Sequence, residues 1–179
     1  MKETNMQMRL YCPVLLGLVM LVASPNAHGA QVPSTTSADR EALAAVVQEL
    51  DAAWNARDAA RFSAIFAEEG NFQFPVEGIA LRGRDEIRRH YAKQFATFPP
   101  DLRHVTKIGE SDLIGPGVLA VDFEVDILGT DSKTGTAPTP LVHYHGLGLG
   151  VRTESGWRIR LARVYPVVKL PTAAARAAR

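Results

Sequence analysis

Between residues 43 and 54 the apolar side chains fall three or four positions apart: Leu43, Val46, Val47, Leu50 and Trp54. That period predicts a helix with one buried face. Alanines fill much of the remainder and raise helix propensity. Ser37 or Thr36 stands where a cap is needed, and Asp39 and Glu41 suit the positive end of the helix dipole. The helix is expected to end near Asn55–Asp58. A second helix, over 59–67, carries Phe62, Ile65 and Phe66 on one stripe, with Gly70-Asn71 as its stop signal. The period then changes to alternation. Phe72 and Phe74 flank Gln73 in a strand, Pro75 and Gly78 turn it, and 79–82 return as its hairpin partner. A third helix opens at Gly83-Arg84-Asp85-Glu86-Ile87, buries Ile87, Tyr91 and Phe95, and is closed by Pro99-Pro100.

From there the pattern is sheet. Residues 104–108 read as one strand and 118–128 as the clearest, with Val121, Phe123, Val125 and Ile127 on one face and Asp122, Glu124 and Asp126 on the other. A Gly/Thr/Pro-rich loop over 129–140 leads to a strand over 141–152 that sets Gly146, Gly148 and Gly150 on one face, which suits close backbone approach or strong curvature. Glu154-Ser155-Gly156 turns the chain into a last strand over 157–168. Helices at the start and strands at the end predict an α+β fold, with helices on one face of a curved antiparallel sheet.

The ends change the picture of where the protein works. Lys2 and Arg9 precede and open an apolar run over 10–23, too short for a mature span of ~20 residues, followed by the small residues Ala27-His28-Gly29-Ala30. Residues 1–30 thus read as a secretory signal peptide, 31–37 as a Pro/Ser/Thr linker, 38–169 as one domain and 170–179 as a disordered tail. The expected location is the periplasm or outside the cell. The one cysteine, Cys12, lies in the leader, so the mature domain would carry neither disulfide nor thiol chemistry. Of 20 basic and 19 acidic residues, Lys2, Arg9 and Glu3 leave with the leader, so 18 face 18. That balance gives no general attraction to nucleic acid or an anionic membrane.

Three segments in this order carry a resemblance. The stretch from Trp54-Asn55-Ala56-Arg57-Asp58 to Phe74-Pro75, the Gly83–Ile87 helix start and the final Gly156-Trp157-Arg158-Ile159 together resemble the nuclear transport factor 2-like superfamily. Within it the chain is similar to the SnoaL-like and SgcJ/EcaC-type proteins of bacteria. The resemblance implies a cone-shaped, cystatin-like sheet wrapped around a long N-terminal helix with two shorter helices. It further implies a pocket in the open end and a homodimer through the outer sheet face. It does not imply one activity, because such folds host unrelated functions. The ketosteroid isomerases of the superfamily need a tyrosine, a base and a protonated aspartate where this chain holds Leu50, Phe74 and approximately Val142. That chemistry is therefore disfavoured.

Candidate chemistry centres on His143-Tyr144-His145, whose two imidazoles share a strand face. Arg163, on a face shared with Trp157, Ile159 and Leu161 in a regular strand, calls for a carboxylate partner such as Asp58 or Glu68. His104 opens a strand and either lines or caps the pocket. The expected function is the binding of a small, largely apolar molecule against Trp54, Phe72, Phe74, Tyr91, Phe123 and Tyr144. Any chemistry would be proton transfer by His143, His145 or His104, helped by Tyr144 or Arg163. A non-catalytic binding or association module is the alternative. A metal-assisted hydrolase needs a third ligand beside the two histidines, and neither metal nor cofactor is expected.

Overall fold

The computed structural model describes residues 36–130, 135 and 138–167, all within one compact unit. The leader, most of the 129–140 loop and the tail lie outside the described residues. Thr36 caps α1 (Ser37–Asn55): its hydroxyl accepts the Asp39 N–H at 3.2 Å, and the Asp39 carboxylate accepts from the Thr36 N–H at 3.3 Å and hydroxyl at 2.7 Å. The buried side chains Leu43, Ala53 and Trp54 follow the helical period.

Arg57 ends this helix in the left-handed region, with φ of 59°, alone among the described non-glycine residues. Its guanidinium offsets that cost. It lies 4.4 Å from the Trp54 ring centroid and donates to the carbonyls of Trp54, Pro99 and Leu102 at 3.2, 3.0 and 2.9 Å. Asp58 then caps α2 (Ala59–Ala64) by accepting the Arg61 N–H at 2.9 Å.

The second helix is shorter than its pattern suggests, because β1 (Phe66–Phe74) already begins at Phe66. Gly70 is not a helix stop but part of a bulge: Phe66 pairs with Ile159, and the next pair is Asn71 with Leu161. A Cβ at Gly70 would stand 2.9 Å from both the Phe66 Cβ and the Ala67 carbonyl oxygen, so only glycine fits the kink. A single 3-10 turn (Pro75–Glu77) leads to β2 (Ile79–Arg82), antiparallel to β1. α3 (Arg84–Phe95) buries Ile87 and Phe95 as its stripe predicts. Among the described residues no helix is long and apolar enough to cross a membrane.

Four long strands follow: β3 (Arg103–Gly115), β4 (Val118–Gly129), β5 (Thr139–Thr153) and β6 (Gly156–Pro166). β3 runs well beyond the expected 104–108, continuing through a bulge between Ile108 and Ser111. The sheet order is β2-β1-β6-β5-β4-β3, and β1 lies parallel to β6 while every other neighbour is antiparallel. The sheet is therefore mixed rather than antiparallel. A parallel pair needs a long crossover, and here it is everything from β2 to β5. Alternation along one strand cannot reveal such a partner. The helices pack on the concave face: α1 touches β3 and β6, and α3 covers β1 and β2.

The glycine face of β5 does what close approach requires. The Phe123 ring of β4 lies against Gly146 and Gly148, and the Trp157 ring of β6 against Gly150, where an added Cβ would stand 3.5 Å from it. A Cβ at Gly146 would meet the Phe123 ring and the Arg163 carbonyl oxygen. Gly146→Ala is expected to lower unfolding free energy by about 1–3 kcal/mol in urea titrations. Gly115→Ala, where a Cβ meets nothing within 4 Å, is expected to stay within about 0.5 kcal/mol of the parent.

Candidate functional site

The concave face of the sheet and the helices laid across it enclose a cavity of about 460 Å3, within the size range of small-molecule sites. Its walls are mainly aromatic and aliphatic. Trp54, Phe72, Phe74, Tyr91, Phe123 and Tyr144 all line it, as does His104. Leu50, Phe74 and Val142, the positions compared with the isomerases, also face it.

A polar constellation reaches this wall through His104 and Thr106, and it is built by α1 and the free edge of β3. Asp51 and Asn55 are one helical turn apart and therefore project from the same side of α1. The Asn55 side chain accepts the His104 N–H at 2.8 Å and donates to the His104 carbonyl at 2.9 Å. The Asp51 carboxylate accepts the Thr106 N–H at 2.9 Å and the Thr106 hydroxyl at 2.7 Å, and lies 2.7 Å from His104 Nδ1. The imidazole packs on Trp54 at 5.1 Å between ring centroids. Its Nε2 makes no hydrogen bond among the described residues.

Burial alone would raise the Asp51 carboxyl. The hydrogen bonds from His104 and from the Thr106 N–H and hydroxyl outweigh it and hold the group below its ordinary value. The carboxylate therefore stays ionised at neutral pH. Opposite an ionised carboxylate, the neutral form of the imidazole donates through Nδ1–H, which leaves its lone pair on Nε2. Asp51 had no local signal in the sequence beyond its helical spacing from Asn55 at the edge of an apolar stripe.

His143 and His145 share a face, as alternation requires, but it is the convex one. Tyr144 points into the cavity, so its neighbours point away. His143 Nδ1 lies 2.7 Å from Asp126 Oδ1, and Lys107 Nζ lies 3.2 Å from the other oxygen. His145 is exposed opposite Glu124. Arg163 does not share the face of Trp157 and Ile159. The register with β5 skips Arg160, pairing Leu149 with Leu161 and Gly150 with Ile159, and this bulge reverses the alternation. Ala162 and Val164 consequently line the cavity, while Arg163 is exposed and donates to Gln73 Oε1 at 2.9 Å rather than to Asp58 or Glu68. Among the described residues no three His, Cys, Asp or Glu side chains gather to hold a metal ion.

A second set of polar groups comes from α3, β5 and the 3-10 turn: His90, Tyr91, Gln94, Tyr144 and Glu77. Register sets their distance from the first. Thr106, Val125 and Tyr144 are paired in one row across β3, β4 and β5, so Tyr144 stands two strand spacings, about 10 Å, from Thr106.

Because folding lowers the Asp51 value, Asp51 stabilises the fold above its unfolded titration, and the effect is lost as pH falls through the folded value. Asp51→Asn is expected to cost about 1–3 kcal/mol at neutral pH. The difference from the parent should shrink as acid protonates the carboxylate, measured by urea unfolding across pH.

The match to known proteins agrees with this architecture. The SnoaL-like domain model matches residues 47–165. No curated protein matches the chain in sequence. Among solved structures, a domain of unknown function with a cystatin-like fold from Nostoc punctiforme is 21% identical, covers 80% of this chain and 93% of its own, and superposes with a TM-score of 0.65. An uncharacterised protein with a cystatin-like fold from Caulobacter vibrioides is 25% identical over 72% of this chain and 89% of its own, with a TM-score of 0.59. A ketosteroid isomerase-like protein from Erwinia carotovora is 19% identical over 75% of this chain and all of its own, with a TM-score of 0.58. With the matched span running from the middle of α1 almost to the end of β6, the chain belongs to the SnoaL-like domain family of the nuclear transport factor 2-like superfamily.

Proposed function

We propose that the protein binds a small, largely apolar molecule in the cone and moves a proton on it, with His104 as the acid–base group. The observation that carries this reading is His104 in the cavity wall with Asp51 behind it: Nδ1 is turned to the carboxylate, and Nε2 makes no hydrogen bond among the described residues. In that arrangement Asp51 selects the tautomer and would stabilise the imidazolium formed when Nε2 takes a proton. Correctly placed, such a base contributes roughly 10²–10⁴ in rate. The apolar walls keep water from competing and strengthen the charge interactions inside. With Leu50, Phe74 and Val142 at the isomerase positions, the cavity has no carboxylate base at Phe74, and His104 takes that role in this reading.

The same proposal places the protein outside the cytoplasm, on the strength of the leader pattern over residues 1–30. It also takes the protein as a homodimer through the convex sheet face, where Leu147 and Tyr165 are each 42% exposed. A second reading, a binding module without chemistry, is favoured by one fact: Asp51 also bonds the free edge of β3, so its pairing with His104 serves the fold.

Ligand extraction and mass spectrometry on protein from its native host, followed by hydrogen–deuterium exchange on the recovered compound, separates the two. The expected result is a bound small molecule whose exchange is accelerated by the parent protein and not by His104→Gln. A compound that binds but shows no protein-dependent exchange would leave only the binding module.

A further inference from the structure

Two phenols in the cavity wall are left open to solvent or to a ligand. Tyr91 and Tyr144 both line the cavity, and neither hydroxyl makes a hydrogen bond among the described residues. Their rings are fixed: Tyr91 packs on Phe62 at 4.2 Å and on Phe72 at 5.6 Å, and Tyr144 stands edge-on to Phe74 at 5.3 Å. A tyrosine held in an apolar wall ordinarily finds a partner for its hydroxyl. The His90 ring and the Gln94 amide line the same region and are also without hydrogen bonds. The result is a cluster of unpaired donors on a largely apolar wall.

The charges nearby decide what fits. Glu77 lines the cavity, makes no ion pair among the described residues, and acts on Tyr91, Tyr144 and His90 through its field. Burial, with a smaller push from Tyr144 and Glu77, raises the Tyr91 phenol above its ordinary range. Burial and Glu77 raise that of Tyr144 too. Burial lowers His90, against the pull of Glu77 and Glu86 and with the push of Lys93. Both phenols therefore stay protonated donors, and His90 favours its neutral form. The one arginine in the wall among the described residues, Arg158, comes from β6 and donates to the Trp157 carbonyl at 2.8 Å. Val151, the partner of Arg158, is seven positions along β5 from Tyr144, about 23 Å, so a carboxylate seated at the two phenols would be desolvated beyond the reach of that cation and repelled by Glu77.

We propose that this patch selects an uncharged ligand, seating an oxygen acceptor of a carbonyl or hydroxyl between the Tyr91 and Tyr144 hydroxyls. The ligand then lies across about two strand spacings, with its far end toward His104. This placement rests on reading the cavity as a ligand site, and its test is binding rather than turnover.

Four probes of one shape separate the terms in equilibrium dialysis: naphthalene, methyl naphthyl ketone, naphthoate and naphthylmethylammonium. The ketone is expected to bind about tenfold tighter than naphthalene, the worth of one to two hydrogen bonds, and naphthoate weakest of the four. Tyr91→Phe and Tyr144→Phe should each remove about threefold of the ketone's advantage while naphthalene binding stays within about twofold. Circular dichroism checks that both variants fold. Naphthoate or the ammonium binding as tightly as the ketone would overturn the selection of a neutral ligand. A ketone advantage that survives both substitutions would overturn the role of the phenols. Naphthalene binding with no advantage for the ketone would sink this inference alone. No binding by any probe would sink the ligand site with it.

Discussion

The free edge of β3 is the constraint on which the rest depends. The sheet begins with β2 and ends with β3, so β3 has backbone donors and acceptors with no strand to meet them, and an open edge invites pairing with another chain. Here α1 takes the place of the missing strand. The Asn55 amide satisfies both backbone groups of His104, and Asp51 takes the Thr106 N–H. These bonds fix α1 against the sheet, and the cone's inner space follows from that fit. They also settle the direction of the His104 ring, because the carboxylate that holds the strand holds Nδ1 as well. One pair of helix side chains thus closes an edge and sets up the one paired imidazole in the cavity wall.

The cavity exists because the sheet bends and thins where rings must enter. Gly146, Gly148 and Gly150 remove side chains from the concave face of β5, and the Phe123 and Trp157 rings fill that space. Bulges in β1, β3 and β6 turn the strands and decide which side chains reach the inside. Arg57 adds a lock from the helix side by joining the end of α1 to the Pro99–Leu102 connection. The apolar wall and the few polar groups in it are therefore products of the same backbone geometry.

Much of the fold was legible because its signals are local. The period of Leu43 to Trp54, the alternation of Val121 to Ile127 and the turn at Glu154–Gly156 each report on neighbours in the chain. The aromatic lining was legible for the same reason. What escaped was non-local. Asp51 and His104 are 53 positions apart, and nothing near either residue announces the other. Alternation puts His143 and His145 on one face, but which face depends on the pairing of β5 with β4 and on Tyr144 taking the inside. Arg163 was misplaced by one bulged residue, Arg160, since a single insertion reverses everything beyond it. Gly70 looked like a helix stop because kinked strands and helix ends recruit glycine for the same steric reason.

α1 holds His104 with Nδ1 turned to the Asp51 carboxylate, which in the neutral ring puts the proton on Nδ1 and the lone pair on Nε2. Long-range proton–nitrogen NMR of the imidazole, in uniformly labelled protein at neutral pH and with His104 assigned by substitution, reads this directly. This arrangement predicts, for the neutral ring, a protonated, pyrrole-type signal for Nδ1 and an unprotonated, pyridine-type signal for Nε2. The reverse pattern, with the proton on Nε2, would contradict it.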